Sequence, residues 1–167
     1  MNGDNLVKKI VLYSCFLTFV MACSSSKAYP IDKILTDNAL SCNPEPQDNI
    51  SAVYAAVFDE KSEINKLSKS SLMIGNLKLT HIKSFELQNK NIALSLTFDY
   101  LKYDVKITKL AFLTSSSQAE DEWGGYYYVV EGDPISFEKF RVYYRIDDDE
   151  ITRTPSGNYR VTCVMAG

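Results

Sequence analysis

Ile92-Ala93-Leu94-Ser95-Leu96-Thr97-Phe98-Asp99-Tyr100 alternates without a break between large apolar side chains and small or polar ones. A period of two puts Ile92, Leu94, Leu96, Phe98 and Tyr100 on one face and Ala93, Ser95, Thr97 and Asp99 on the other. That is the pattern of a half-buried antiparallel strand. Tyr103, Val105 and Ile107 continue the alternation beyond a tight turn at Leu101-Lys102, so a second strand is expected to fold back on the first. The phase then slips at Lys109, with Leu110 and Phe112 as the next apolar positions, which predicts a bulge.

On the N-terminal side, Leu72 to Leu79 and Ile82 to Leu87 read as two more strands, with Gln88-Asn89-Lys90-Asn91 as a turn. Before them Ile50, Val53, Tyr54, Val57, Phe58, Ile64 and Leu67 recur at three- and four-residue steps, predicting an amphipathic helix capped by Asp48 or Asn49. Asn43-Pro44-Glu45-Pro46 is a turn, since each proline bars its predecessor from helix. Tyr29 to Ser41 carries few signals and is expected to be a linker. On the C-terminal side, Ser115 to Gly125 is polar and reads as an exposed loop, followed by a strand over Tyr126 to Val130. Phe140, Val142, Tyr144 and Ile146 alternate with Arg141, Tyr143 and Arg145, predicting another strand in which Tyr143 faces outward. Pro155-Ser156-Gly157-Asn158 turns the chain into a last strand, with Tyr159, Val161, Cys163 and Met165 on one face. The expected class is α+β: one N-terminal amphipathic helix on a mainly antiparallel sheet.

Hydrophobic residues make up 46% and charged residues 23% of the 167 positions, enough apolar surface for a core and too little charge for general disorder. Eleven Tyr and eight Phe against a single Trp lean towards strands. The net charge of −3, with Lys and Arg scattered singly among acids, argues against nucleic acid as a partner.

The first residues carry Lys8 and Lys9 and then an uncharged apolar run, Ile10 to Met21. A spanning helix needs about 20 apolar residues, so this run has the length and flanks of a secretory leader. Val20-Met21-Ala22-Cys23 then resembles the lipobox of bacterial lipoproteins: an aliphatic residue, a small residue directly before the cysteine, and the cysteine itself. Met21 departs from the usual small residue at its position. The resemblance covers this signal region alone. It implies cleavage before Cys23, acylation of Cys23, and a tether through Ser24-Ser25-Ser26-Lys27. Ser24 beside Cys23 resembles the arrangement that directs such proteins to the outer membrane. The competing reading is cleavage after Ala28, where Ser26-Lys27-Ala28 fits the small-x-small rule, giving a soluble periplasmic or secreted product. The expected organisation is leader 1–22, tether and linker 23–41, and one globular domain over 42–167. Both routes leave Cys42 and Cys163 as the cysteines of the mature domain, an even pair suited to one bridge tying its ends together.

Chemistry is sparse. The single histidine, His81, has no Gly-x-Ser-x-Gly nucleophile elbow to serve, and it reads as a surface or strand-edge residue. No Cys/His spacing for zinc exists, and no metal or other cofactor is expected. Asp147-Asp148-Asp149-Glu150 lacks the alternating ligands of a calcium loop and reads as a solvated tip. Gly124-Gly125 reads as a loop hinge. Asp99, Asp104 and Glu131 are the carboxylates a hydrolase would need to gather, with a raised acid among them. Aromatics beside acids suit a partner surface, so Glu120, Asp121, Glu122, Trp123 and Tyr126, with Asp147, Asp148 and Asp149, are the expected partner-binding residues. In plan the chain resembles small exported immunity proteins and lysozyme inhibitors. The expected role is therefore a non-enzymatic binder that occludes a periplasmic, cell-wall or membrane-acting enzyme. The alternatives are a pilotin-like assembly lipoprotein of the envelope and, behind it, a carboxylate hydrolase.

Overall fold

The computed structural model describes residues 28–58, 64–65, 71–74, 77–87, 92–114 and 124–165. Among the described residues ten strands run in chain order: β1 Ala28–Tyr29, β2 Ile64–Asn65, β3 Ser71–Ile74, β4 Leu77–Thr80, β5 Ile82–Leu87, β6 Ile92–Lys102, β7 Val105–Thr114, β8 Gly124–Glu131, β9 Ile151–Arg153 and β10 Tyr159–Met165. The helices are α1 Asp37–Leu40, α2 Asn49–Phe58 and α3 Pro134–Tyr144, with 3-10 turns at Ile31–Lys33 and Asp148–Glu150. The large sheet has the order β5-β6-β7-β8-β10-β9 and is antiparallel at every pairing. A smaller sheet, β1-β4-β3-β2, is antiparallel except where β1 meets β4. The chain passes from one sheet to the other at His81, which is exposed and takes a left-handed φ of 63°.

The long alternating segment is β6, and its partner is β7, as the period of two requires. Leu94, Leu96 and Phe98 from β6, Val105, Ile107, Leu110 and Phe112 from β7, Tyr126, Tyr128 and Val130 from β8, and Tyr159, Val161 and Cys163 from β10 are all buried in one core. The phase slip is present: the β7–β8 register shifts between Ile107 and Lys109, leaving Thr108 as the extra residue. The hairpin turn lies two residues later than expected. Lys102 pairs with Val105, so Tyr103 and Asp104 form the loop.

The N-terminal segment is not a linker. Ile31, Ile34, Leu35, Ala39 and Leu40 are buried in the same core as the sheet. Thr36 caps α1 by accepting from the Ala39 N–H at 3.3 Å. The C-terminal carbonyls of so short a helix have no partner within it. Tyr126 of β8 supplies one, its hydroxyl donating to the Ala39 carbonyl at 2.6 Å, and the Tyr128 hydroxyl donates to the Leu40 carbonyl. Two residues on, Cys42 is bonded to Cys163 of β10, which is the ladder partner of Tyr126.

The single-helix expectation also fails at the other end. Phe140 to Tyr144 belongs to α3, not to a strand. Asp133 caps this helix, its Oδ1 accepting from the N–H groups of Ile135 at 2.9 Å and Ser136 at 3.1 Å, and Pro134 opens the first turn. Phe137, Phe140 and Tyr144 face inward, with Phe137 stacked on Tyr159 at 3.5 Å between ring centres. Arg145, at φ 54°, ends the helix in the left-handed conformation. Helix α2 ends at Phe58, and Ile64 lies in β2 opposite Ile74. Gly124 and Gly125 open β8 and are not a hinge. A Cβ on Gly125 would sit 2.2 Å from the Cys163 carbonyl oxygen, and one on Gly124 would strike the Tyr54 ring of α2.

Replacing both Cys42 and Cys163 by Ala releases a link spanning 121 residues of sequence. It should cost about 4–5 kcal/mol in the chain-entropy model, measured as a fall in urea midpoint. Tyr126→Phe leaves the Ala39 carbonyl buried and unpaired and should cost about 1–3 kcal/mol in the same assay.

Candidate functional site

Exposed large apolar side chains include two on the β6–β7 hairpin and three on α3, with Val164 of β10, 62% exposed, apart from them. Leu101 is 74% exposed, Tyr103 55%, Ile135 71%, Val142 63% and Tyr143 57%. In α3 the spacing 135, 139, 142 is that of one helical face, so Ile135 and Val142 share a line on the side away from the core. Tyr143 lies beside that line and packs against Tyr103, with ring centres 4.8 Å apart. Tyr103 holds φ at 52°, a conformation bulky residues seldom adopt, at the tip of a two-residue hairpin loop. A cleft of about 180 Å³ between them is lined by Tyr103, Asp104, Ser136, Lys139, Phe140 and Tyr143.

A polar network anchors this corner to α1. Lys102 donates to Asp37 at 3.0 Å, and the Tyr144 hydroxyl donates to the same carboxylate at 3.1 Å. The Lys102 hydrogen bond, opposed by partial burial and helped by Tyr144, holds the Asp37 carboxyl below its ordinary range. Burial works against the Lys102 charge, but the Asp37 hydrogen bond and nearby charges outweigh it and raise the ammonium. The Tyr103 hydroxyl is pushed up by its hydrogen bond with Tyr143. Burial, then Asp37, raises Tyr144.

The acidic run lies on the other flank of α3. Asp147, Asp148 and Asp149 are exposed. Arg141 donates to Asp148 at 2.7 Å and also grips Glu138, so the turn is fastened to the helix. The Asp147 N–H donates to Glu150 Oε2 at 2.8 Å, closing the 3-10 turn on itself. Among the described residues no three His, Cys, Asp or Glu side chains gather as a metal would require.

The other sequence-derived candidates fall differently. Cys23, Glu120, Asp121, Glu122 and Trp123 lie outside the described residues. Tyr126 is a correction: its side chain is fully buried, with its hydroxyl bound to α1, and it offers nothing to a partner. Asp99 is paired with Lys83 and, at 3.6 Å, with Lys106, and Lys106 in turn bonds Glu131 at 3.0 Å. The Lys83 hydrogen bond, opposed by desolvation and reinforced by the lysine charges, holds Asp99 below the usual range, opposite to what a general acid needs. Asp104 sits at the hairpin tip. Tyr143 is exposed as expected, although on a helix. Leu101, Tyr103, Ile135 and Val142 were not singled out by the sequence pattern. The signal that finds the α3 members is Asp133-Pro134 with Phe137.

Comparison with protein-family models, with curated proteins and with solved structures finds no match to this chain.

A carboxylate whose folded-state pKa is lowered stabilises the fold above its unfolded value, and that contribution is lost as pH falls through the folded one. Asp37, Asp99, Asp133 and Glu138 all shift in this direction. Thermal melting should therefore be flat from neutral pH to about 5 and fall below about 4. Asp37→Asn should lower the neutral-pH plateau by at most about 1 kcal/mol, because the pair is solvent-screened, and should make the acid fall shallower.

Proposed function

We propose that the protein is an exported binding protein of the bacterial envelope, an immunity or inhibitor protein that occludes a periplasmic, cell-wall or membrane-acting enzyme. The observation that carries this reading is the aromatic corner. Tyrosines and aliphatic side chains are held out in solvent by a strained hairpin tip and a capped helix, which is how protein surfaces present large contact area at low entropic cost. Exposed large aromatic side chains that meet, as Tyr103 and Tyr143 do, are a mark of interaction sites. The acidic turn Asp147-Asp148-Asp149, fastened to the other flank of α3 by Arg141, adds negative charge near that helix, suited to steering a cleft lined with bases. The Cys42–Cys163 bridge accords with an oxidising compartment. A lipid on Cys23 would hold the protein at the outer membrane, facing its target.

The test is inhibition. Release of soluble fragments from purified cell wall by envelope extract should be suppressed when the purified protein is added. Tyr103→Ala with Tyr143→Ala should abolish that suppression while leaving the melting curve within about 1 kcal/mol of the parent, since both side chains are exposed. Asp148→Asn with Asp149→Asn should weaken suppression mainly at low salt. Full suppression by the tyrosine variant, or none by the parent, would overturn the reading.

A further inference from the structure

The outer face of the large sheet carries a second, chemically different feature. Thr97, Lys109, Val129, Arg160 and Thr152 pair in register across β6, β7, β8, β10 and β9 and form one cross-strand row. Lys109 and Arg160 flank Val129, so their backbones stand about 10 Å apart, two strand spacings. Their charged ends converge on Tyr127 in the adjoining row. The Arg160 guanidinium carbon lies 4.0 Å from the centre of that ring, and Lys109 Nζ lies 5.8 Å from it.

Three facts together bear on these cations. Lys83, Lys102, Lys106 and Arg141 each have a carboxylate partner, whereas Lys109 and Arg160, like Lys33, Lys78, Lys139, Arg145 and Arg153, have none among the described residues. Arg160 Nε is buried and has no hydrogen-bond acceptor, a costly state that an incoming acceptor would relieve. The two side chains also line a concavity of about 430 Å³, together with Thr97, Thr108, Thr154 and Ser156, the last two of which hydrogen-bond each other at 2.9 Å. Like charges drawn to one place repel, and an anion between them turns that repulsion into attraction. Glu131, at the edge of the concavity, is already taken up by Lys106 and Asn158.

We propose that this concavity binds a small molecule bearing an oxyanion, a carboxylate or a phosphate group, held between Lys109 and Arg160 with its hydroxyl groups against the threonine and serine side chains. Arginine and lysine are the side chains that recognise such groups by charge-assisted hydrogen bonds. The site is independent of the tyrosine corner, which belongs to the hairpin tip and α3.

The experiment is a titration of the purified, isotope-labelled protein with three probes: inorganic phosphate, glucuronate and neutral glucose. Backbone amide shifts are followed by NMR. Saturable shifts confined to the rows through Thr97, Lys109, Val129, Arg160 and Thr162, with phosphate or glucuronate but not glucose, are expected. Which anion binds more tightly separates a phosphate ester from a sugar acid. Lys109→Gln and Arg160→Gln should each weaken binding by about tenfold or more, and Arg160→Lys, which keeps the charge, should restore part of it. Equal shifts with glucose, no saturable shift with either anion, or unchanged affinity in both glutamine variants would overturn the proposal.

Discussion

The fastening of residues 39 to 42 onto two adjacent strands is the constraint on which the rest of the molecule depends. Tyr126 and Tyr128 donate to the Ala39 and Leu40 carbonyls from β8, and Cys42 is bonded to Cys163 on β10. Because Cys163 and Tyr126 are ladder partners, the covalent link and the hydrogen bonds act at one place. Neither set would serve alone. With α1 docked but these bonds unmade, each buried tyrosine hydroxyl would cost about 1–3 kcal/mol, more than the bond itself contributes net. With them made, the N-terminal segment becomes one wall of the core, and Ile31, Ile34 and Leu35 close over the inward face.

How much of this was legible in the sequence depends on how uniquely each pattern fits one period. The β6 alternation runs for nine residues and admits only a strand, and the slip at Lys109 is visible because Leu110 and Phe112 break parity with Val105 and Ile107. The Cys42–Cys163 bridge followed from cysteine arithmetic. Helix α3 reads as a strand because Phe140 and Tyr144 are four apart, a spacing shared by two strand repeats and one helical turn. Phe137 breaks the tie, being odd in parity to Phe140 yet on the same helical face. The N-terminal segment reads as a linker because its apolar residues fall in pieces too short for any period. Their burial is imposed from outside, by tyrosine hydroxyls that seek carbonyls.

The candidate sites were less legible than the fold. An exposed Val142 and a buried one look alike in sequence, and only the helix phase separates them. The cation pair was invisible for a related reason. Lys109 and Arg160 are distant in sequence and meet only because β7, β8 and β10 are neighbours in a particular register. Tyr127, on the opposite parity to Tyr126 and Tyr128, was the one available hint. The large sheet thus separates two environments: an apolar inner face that carries stability, and an outer face where the Lys83–Asp99–Lys106–Glu131 ion pairs stand beside two cations, Lys109 and Arg160, that have no carboxylate partner among the described residues. The tyrosine corner lies at the end of the hairpin, clear of both.

Mass spectrometry of the protein isolated from its host under non-reducing conditions addresses most directly the claim that it is an exported, bridged module acting by contact. The account predicts a chain lacking the apolar leader, beginning at an acylated Cys23 or at Tyr29, with Cys42 and Cys163 joined in one disulfide-linked peptide. An intact leader together with free thiols at both cysteines would contradict it.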